Sequence, residues 1–390
     1  MSSVAFTNIA TLVTNDLLTG EGELGILHNA NVVIENGLIS QISHTRPSGV
    51  DSEVDCSGKT LLPGFVDSHS HLIFAGDRAD EFAARSQGGK YTAGGIASTV
   101  KATRAASDAE LRQNAQSLLN EALATGTTTM EIKSGYGLTE KDELRSLAIA
   151  SEFTDETTLL AAHVIPEEFQ SNPDGYVDLI INSIIPKSNA KWIDAFCDLG
   201  AFNPEQSEAI LRAGIAAGMQ ARIHANQLSA GEGTALAVAL DAASADHVSK
   251  STNTDIELLA SSNTVATLLP GAEFSTHSEA GLGRRFIDAG ATVAIASDCN
   301  PGSSYTTSMP FCIATAVSLL GFTVEEAVKA ATLGGAQALR RTDIGQFSVG
   351  MRADLLLLNA PSYIHLAYRP GVNLVHSTYK SGRAVTSWQK

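Results

Sequence analysis

The stretch GFVDSHSHLIFAGDR (residues 64–78) decides how the rest of the chain is read. An apolar lead-in, TLLP (60–63), runs into two histidines separated by one serine, and an arginine follows seven positions after the second. In an extended strand residues i and i+2 point to the same face, so His69 and His71 aim two imidazoles at one point. Alone, the pair suits a structural role as well as a metal. Its meaning depends on what the other strand ends supply.

Eight apolar runs are strand candidates: GFVDSHS (64–70), TTTMEIK (127–133), TTLLAAHV (157–164), KWIDAFCD (191–198), MQARIHAN (219–226), AASADHV (242–248), TVATLLPG (264–271) and ATVAIASD (291–298). Amphipathic segments such as DAELRQNAQSLLNEALAT (108–125) and PEQSEAILRAGIAAG (204–218) lie between them, and glycines in ATG, AAG and DAG suit helix C-termini. This alternation predicts an α/β fold, a (β/α)8 barrel whose site lies at the C-terminal strand ends. His69 and His71 end the first candidate, His163 the third, His224 the fifth, His247 the sixth and Asp298 the eighth. Three imidazoles (His69, His71, His224) and the Asp298 carboxylate suit one borderline divalent ion, zinc or iron, with room left for water.

The two ends of the chain read differently. VAFTNIATLVT, ANVVIENGLISQIS and VDCSGKTLLP near the start, and ADLLLLNA and LVHSTYKSGRAV near the end, are β-rich, with ENG and KSG as turn signals. They predict a small β-sandwich domain built from 1–62 together with 345–390, leaving 63–344 for the barrel. With 26 basic and 42 acidic side chains the net charge is −16, which argues against nucleic acid or an anionic membrane as partner. An anionic substrate would then need a local cation. Cys56, Cys197, Cys299 and Cys312 show no paired spacing and read as buried thiols. The N-terminus lacks a signal-peptide pattern and FCIATAVSLLGF is too short to span a bilayer, so a cytoplasmic protein is expected.

The order of HxH, His, His and Asp, with the joins LLPGFVDSHSH and GMRADLLLLNA, resembles the amidohydrolase superfamily over nearly the whole chain. That resemblance implies a barrel with a β-sandwich from both chain ends, and a homodimer. Binuclear members carry a carboxylated lysine at the fourth strand, where this chain has DAFCD; Lys133 closes the second strand instead. One metal ion is therefore expected, with His247 left to orient the attacking water and Asp298 to move its proton.

Further stretches (GDRADEF, EIKSGYGL, AAHVIPEEF, HANQLSAGEG, SADHV, SDCNPGSS) resemble the ring-opening hydrolases of histidine degradation. Their substrate is a small anionic imidazolone bearing a propionate. The resemblance places Arg78, Tyr91, Tyr136 and His163 against that substrate, and a guanidinium matches a carboxylate. Asn300, the Gly302 amide and Ser303 offer further donors. Gln227 stands where deaminases of the superfamily place a glutamate, and its amide can both donate to and accept from an imidazolone. The rival readings are a heterocycle deaminase, a hydrolase of another cyclic amide, and an inert metal-binding barrel. His277 reads as a solvated loop residue.

Overall fold

Each of the eight apolar runs forms a strand: β1 (Phe65–Asp67), β2 (Thr127–Met130, continued by Ile132–Lys133), β3 (Thr157–Ala162), β4 (Trp192–Cys197), β5 (Gln220–Ala221 and Ile223–Ala225), β6 (Ser244–His247), β7 (Val265–Leu268) and β8 (Val293–Ile295). The computed structural model describes residues 3–87, 95–277 and 281–390. Every neighbouring pair from β1 to β8 is parallel and follows chain order. Beyond the formal strands, Asp298 N–H donates to His69 O at 3.0 Å and His71 N–H to Cys299 O at 3.0 Å, so the curled sheet brings its last strand back to its first. Parallel strands covered by helices are buried on both faces, which is why these runs read as nearly continuous apolar segments.

The helices end where expected. Asp108–Ala124 and Pro204–Ala216 match the amphipathic segments, and Gly126, Gly218 and Gly290 hold φ of 97°, 95° and 82° just past helix ends. Ser107 and Asn203 start the two helices with capping boxes.

The two chain ends build one hydrogen-bonded sheet of eight strands. Ser3–Val13 pairs antiparallel with Ile26–Glu35, which turns at Asn36–Gly37 into Leu38–Ser43. The other edge of Ser3–Val13 pairs parallel first with Ser52–Asp55 and then with Thr60–Pro63. Thr60–Pro63 pairs in turn with Leu355–Leu358, so segments about 300 residues apart become neighbours. These two strands are buried on both sides. Leu61, Leu355 and Leu357 join the core of the terminal sheet, with Phe6, Ile9 and Val32, whereas Leu62, Leu356 and Leu358 face the larger α/β core. A sequence of four consecutive leucines is what such a position requires.

All four cysteines are free and buried. Among the described residues no helix is long and apolar enough to cross a membrane.

Candidate metal centre and substrate pocket

His69, His71, His224, His247 and Asp298 are all buried at the C-terminal strand ends. His69 Nε2 lies 3.2 Å from His71 Nε2, and His71 Nε2 lies 3.4 Å from His224 Nε2. Asp298 Oδ1 is 3.4 Å from His71 Nε2 and 3.6 Å from His69 Nε2. Ligands about 2.0–2.1 Å from a tetrahedral zinc stand about 3.3 Å apart, so the separations of His71 Nε2 from its three neighbours suit ligands that share one ion. His69 Nδ1 donates to Asp246 Oδ2 at 2.7 Å, which leaves the His69 Nε2 lone pair facing that centre. His224 Nδ1 lies 2.9 Å from Asp194 Oδ2, at an angle too oblique for a well-formed hydrogen bond, and its Nε2 faces the centre too. Lone pairs aimed at one another over these distances call for an electrophile between them. The donor set therefore fits a divalent ion.

The electrostatics of His69 and His71 agree. Burial first, then Lys133 and the neighbouring imidazoles, holds His69 well below its usual value; burial and the adjacent histidines do the same for His71. Neutral imidazole is the form that ligates a metal. Burial pushes Asp298 well above the usual carboxylate range, against hydrogen bonds from Ser303 and Asn300.

Backbone geometry re-aims the strand ends. Consecutive residues on a strand face opposite ways, yet Asp246 and His247 both point inward: Asp246 bonds His69, and the His247 ring centroid is 5.3 Å from that of His224. His247 and Val248 adopt φ of 75° and 49°, and Asp298 adopts 51°. For a β-branched valine this conformation is an outlier costing about 1–3 kcal/mol, which packing must offset. His247 also falls in a possible donor group with His69 and Asp298.

Below the histidines lies a fully buried charge network that the sequence reading did not anticipate. Lys133 Nζ sits 2.9 Å from Asp194 Oδ2, 3.0 Å from Glu131 Oε1 and 4.0 Å from Asp246 Oδ2. Arg222 Nη2 bonds the same Asp246 oxygen at 3.2 Å. Burial would raise Asp194 and Asp246, but His224 and Lys133 hold the first, and Arg222 and Lys133 the second, below the usual range. Asp246, which accepts from His69 Nδ1, is thus kept charged by Arg222 and Lys133 beneath it, and Lys133 contributes likewise at Asp194, which accepts the His224 backbone amide at 3.1 Å. Their signal in the sequence was charge at i, i+2 spacing inside apolar runs: Glu131 with Lys133, and Arg222 with His224. We predict that Asp246→Asn weakens metal binding by about 10- to 100-fold, measured by competition with a chromophoric chelator. Unchanged affinity would remove Asp246 from the site.

Arg78, Tyr136, His163, Gln227, Asn300 and Ser303 line one pocket with His71, His224, His247 and Asp298. Tyr91 lies outside the described residues. Arg78 is buried, and its Nε and Nη2 donate to Glu81 at 2.8 and 2.7 Å. His163 Nδ1–H donates to Gly135 O at 3.0 Å, and burial lowers its pKa to about 3, so it remains neutral. The Gln227 and Leu228 amides donate to Asp198 Oδ2 at 2.7 and 2.8 Å, which fixes the loop carrying Gln227. Within the Asn300–Ser303 turn the expected donors have partners in the chain itself. The Gly302 amide donates to Asn300 Oδ1 at 2.8 Å, and Asn300 Nδ2 donates to Ser303 Oγ and Asp298 O at 2.9 and 2.7 Å. These bonds close an Asx-type turn, and Asn300 and Ser303 line the pocket beside it. What Gly302 supplies is space, since a Cβ there would lie 2.3 Å from Arg78 Nη1. His277 is exposed and adopts φ 56° at a helix end.

With this geometry in view, the chain can be set beside known proteins. The model of the amidohydrolase family matches residues 60–385. The chain is 56% identical to the imidazolonepropionase of Mycolicibacterium smegmatis, over 100% of its own length and 98% of that protein's. It is 54% identical to the imidazolonepropionase of Streptomyces griseus, over 99% and 100%. The chain belongs to the amidohydrolase family, among its imidazolonepropionases. A likeness of fold extends to the atrazine chlorohydrolase of Arthrobacter aurescens solved with zinc: TM-score 0.73, 15% identity, 98% of this chain and 94% of that one.

Proposed function

We propose that the chain hydrolyses the cyclic amide C–N bond of 4-imidazolone-5-propanoate, giving N-formimidoyl-L-glutamate in L-histidine degradation. The observation that carries this reading is a single pocket that joins His71, His224 and Asp298 of the donor set to a buried arginine. Its relatives over the full length bear the name imidazolonepropionase. One divalent ion, zinc or iron, would be held by His69, His71, His224 and Asp298, and would supply Lewis acidity for the ring carbonyl and for water. The parallel strands are read as a (β/α)8 barrel and the terminal sheet as its companion domain.

The chain's own groups do the rest. Asp298 takes a proton from the attacking water and returns it to the departing ring nitrogen. His247, neutral because burial holds it well below its usual value, accepts from that water and orients it. His163, held as the Nδ1–H tautomer, turns Nε2 toward the pocket as an acceptor for a ring N–H. Gln227 donates to and accepts from the ring. Arg78, oriented by Glu81, meets the propionate with its Nη edge, at a charge-assisted contact that a chain of net charge −16 otherwise makes difficult. The leading rivals fare worse: a deaminase lacks its glutamate at Gln227 and has no use for Arg78.

The direct test is to mix the metal-loaded protein with freshly generated imidazolonepropionate and follow its ultraviolet absorbance; no decay above the spontaneous rate overturns the reading. Arg78→Gln is expected to lower kcat/KM by about 10- to 100-fold, from a lost contact of about 1.5–3 kcal/mol. An analogue with the propionate converted to its amide should lose little further on that substitution. An equal loss for both substrates would show that Arg78 does not read the carboxylate.

A further inference from the structure

The loop that carries Tyr136, Ser134-Gly135-Tyr136-Gly137-Leu138, is held from beneath by one residue of the following helix, Glu140–Ser151. The Glu143 side chain is fully buried. Its Oε2 accepts the Gly135 amide at 3.1 Å, and its Oε1 accepts the Gly137 and Leu138 amides at 2.8 and 2.7 Å. One side chain thus collects the backbone donors on both sides of Tyr136. The carbonyls of the loop are also committed, Gly135 O to His163 Nδ1 at 3.0 Å and Gly137 O to Arg104 Nε at 2.6 Å.

The backbone the carboxylate gathers is one the chain would not adopt unaided. Gly135 has φ 114°, and a Cβ there would lie 3.0 Å from His163 Nδ1. Leu138 has φ 52°, a conformation that a leucine avoids without external constraint. Three amides converging on one buried carboxylate supply that constraint.

We propose that Glu143 is a positioning residue for the ring-opening reaction, acting through the Ser134–Leu138 loop to aim Tyr136 and to select the Nδ1–H tautomer of His163. This rests on the reading of Tyr136 and His163 as substrate-facing groups. The tautomer matters because His163 Nε2 faces the pocket as an acceptor only while Gly135 O holds the proton on Nδ1. Glu143 touches neither substrate nor metal ligand; its effect passes through a carbonyl and a side-chain pose.

The test uses the full-length, metal-loaded chain and its Glu143→Gln variant, which keeps the shape but turns an amide NH2 toward at least one loop N–H. Glu143→Asp, which keeps the charge and shortens the reach, is the second variant should the first fold poorly. Long-range 15N–1H spectra report the tautomer of His163, assigned by its loss in His163→Asn. The wild type should show Nδ1–H, and the variants a shift toward a mixture with Nε2–H. For imidazolonepropionate, kcat/KM should fall by about tenfold, with metal content unchanged. Stability loss with the Nδ1–H signal intact and kcat/KM within twofold would reduce Glu143 to a structural residue and overturn the proposal. Because the spectra need no substrate, an unchanged tautomer refutes the Glu143 link even where turnover is normal. Absent turnover in the wild type refutes the assigned reaction instead.

Discussion

Replacing Asp298 with asparagine is expected to lower kcat by about 10³-fold or more while the protein stays folded, within the range removed with a positioned acid–base group. Asparagine matches the carboxylate in shape and can still engage Ser303 Oγ, which stands 3.2 Å from Asp298 Oδ2. What it lacks is the capacity to accept a proton and the negative charge opposite three imidazoles. Asp298 sits 3.4 Å from His71 Nε2, and the proposed function gives it a place both in the donor set and on the proton path. The two contributions are separable by elemental analysis of the purified variant. Retained metal with the activity gone assigns the loss to proton transfer. Loss of metal and activity together assigns it to the donor set. A kcat within tenfold of wild type, with metal bound, would remove Asp298 from the chemistry and leave the water to another base, with His247 the nearest candidate.

Much of this site is legible in the sequence, for a physical reason. A strand buried on both faces tolerates few polar residues, so histidines at the ends of apolar runs stand out, as His69, His71, His224 and His247 do. The same logic marked Asn36–Gly37 and Ser381–Gly382 as turns, and both pairs adopt positive φ in hairpins. Partnership was not legible. Asp194 and Asp246 also interrupt apolar runs, but which cation each meets depends on strands 61 and 24 residues away. Glu143 was further hidden, since an acid in the first turn of a helix normally reads as favourable charge at a solvated N-terminus. Its burial comes from the path of the preceding loop, which no local pattern records. The partner of the Gly302 amide was hidden for the complementary reason. A Pro-Gly turn shows that donors exist, but not that Asn300 already takes them.

The network beneath the histidines supports the second large effect. Lys133→Met is expected to destabilise the folded chain by about 3–5 kcal/mol, the usual consequence of removing one partner from a buried ion pair. Methionine fills similar volume, so little of the loss comes from a cavity. The loss comes from Asp194 and Glu131, both wholly buried, which lose a cation at 2.9 and 3.0 Å. Arg222 remains, but its bond is to Asp246. Denaturant unfolding of the metal-free wild type and variant measures the difference. A loss below about 1 kcal/mol would show that water or relaxation already screens this network. Adding Glu131→Gln separates charge from packing: it removes one of the carboxylates left unpaired, so the double variant should recover part of the stability lost by Lys133→Met. Additive losses would instead mean that the lysine stem, not its charge, holds the strands together. Metal affinity should fall with Lys133→Met as well, because Asp194 and Asp246 hold His224 and His69 in register only while they are themselves fixed. Stability and metal affinity falling together is the signature of a lysine that anchors the metal site from below; a stability loss with affinity unchanged would confine its role to the interior of the sheet.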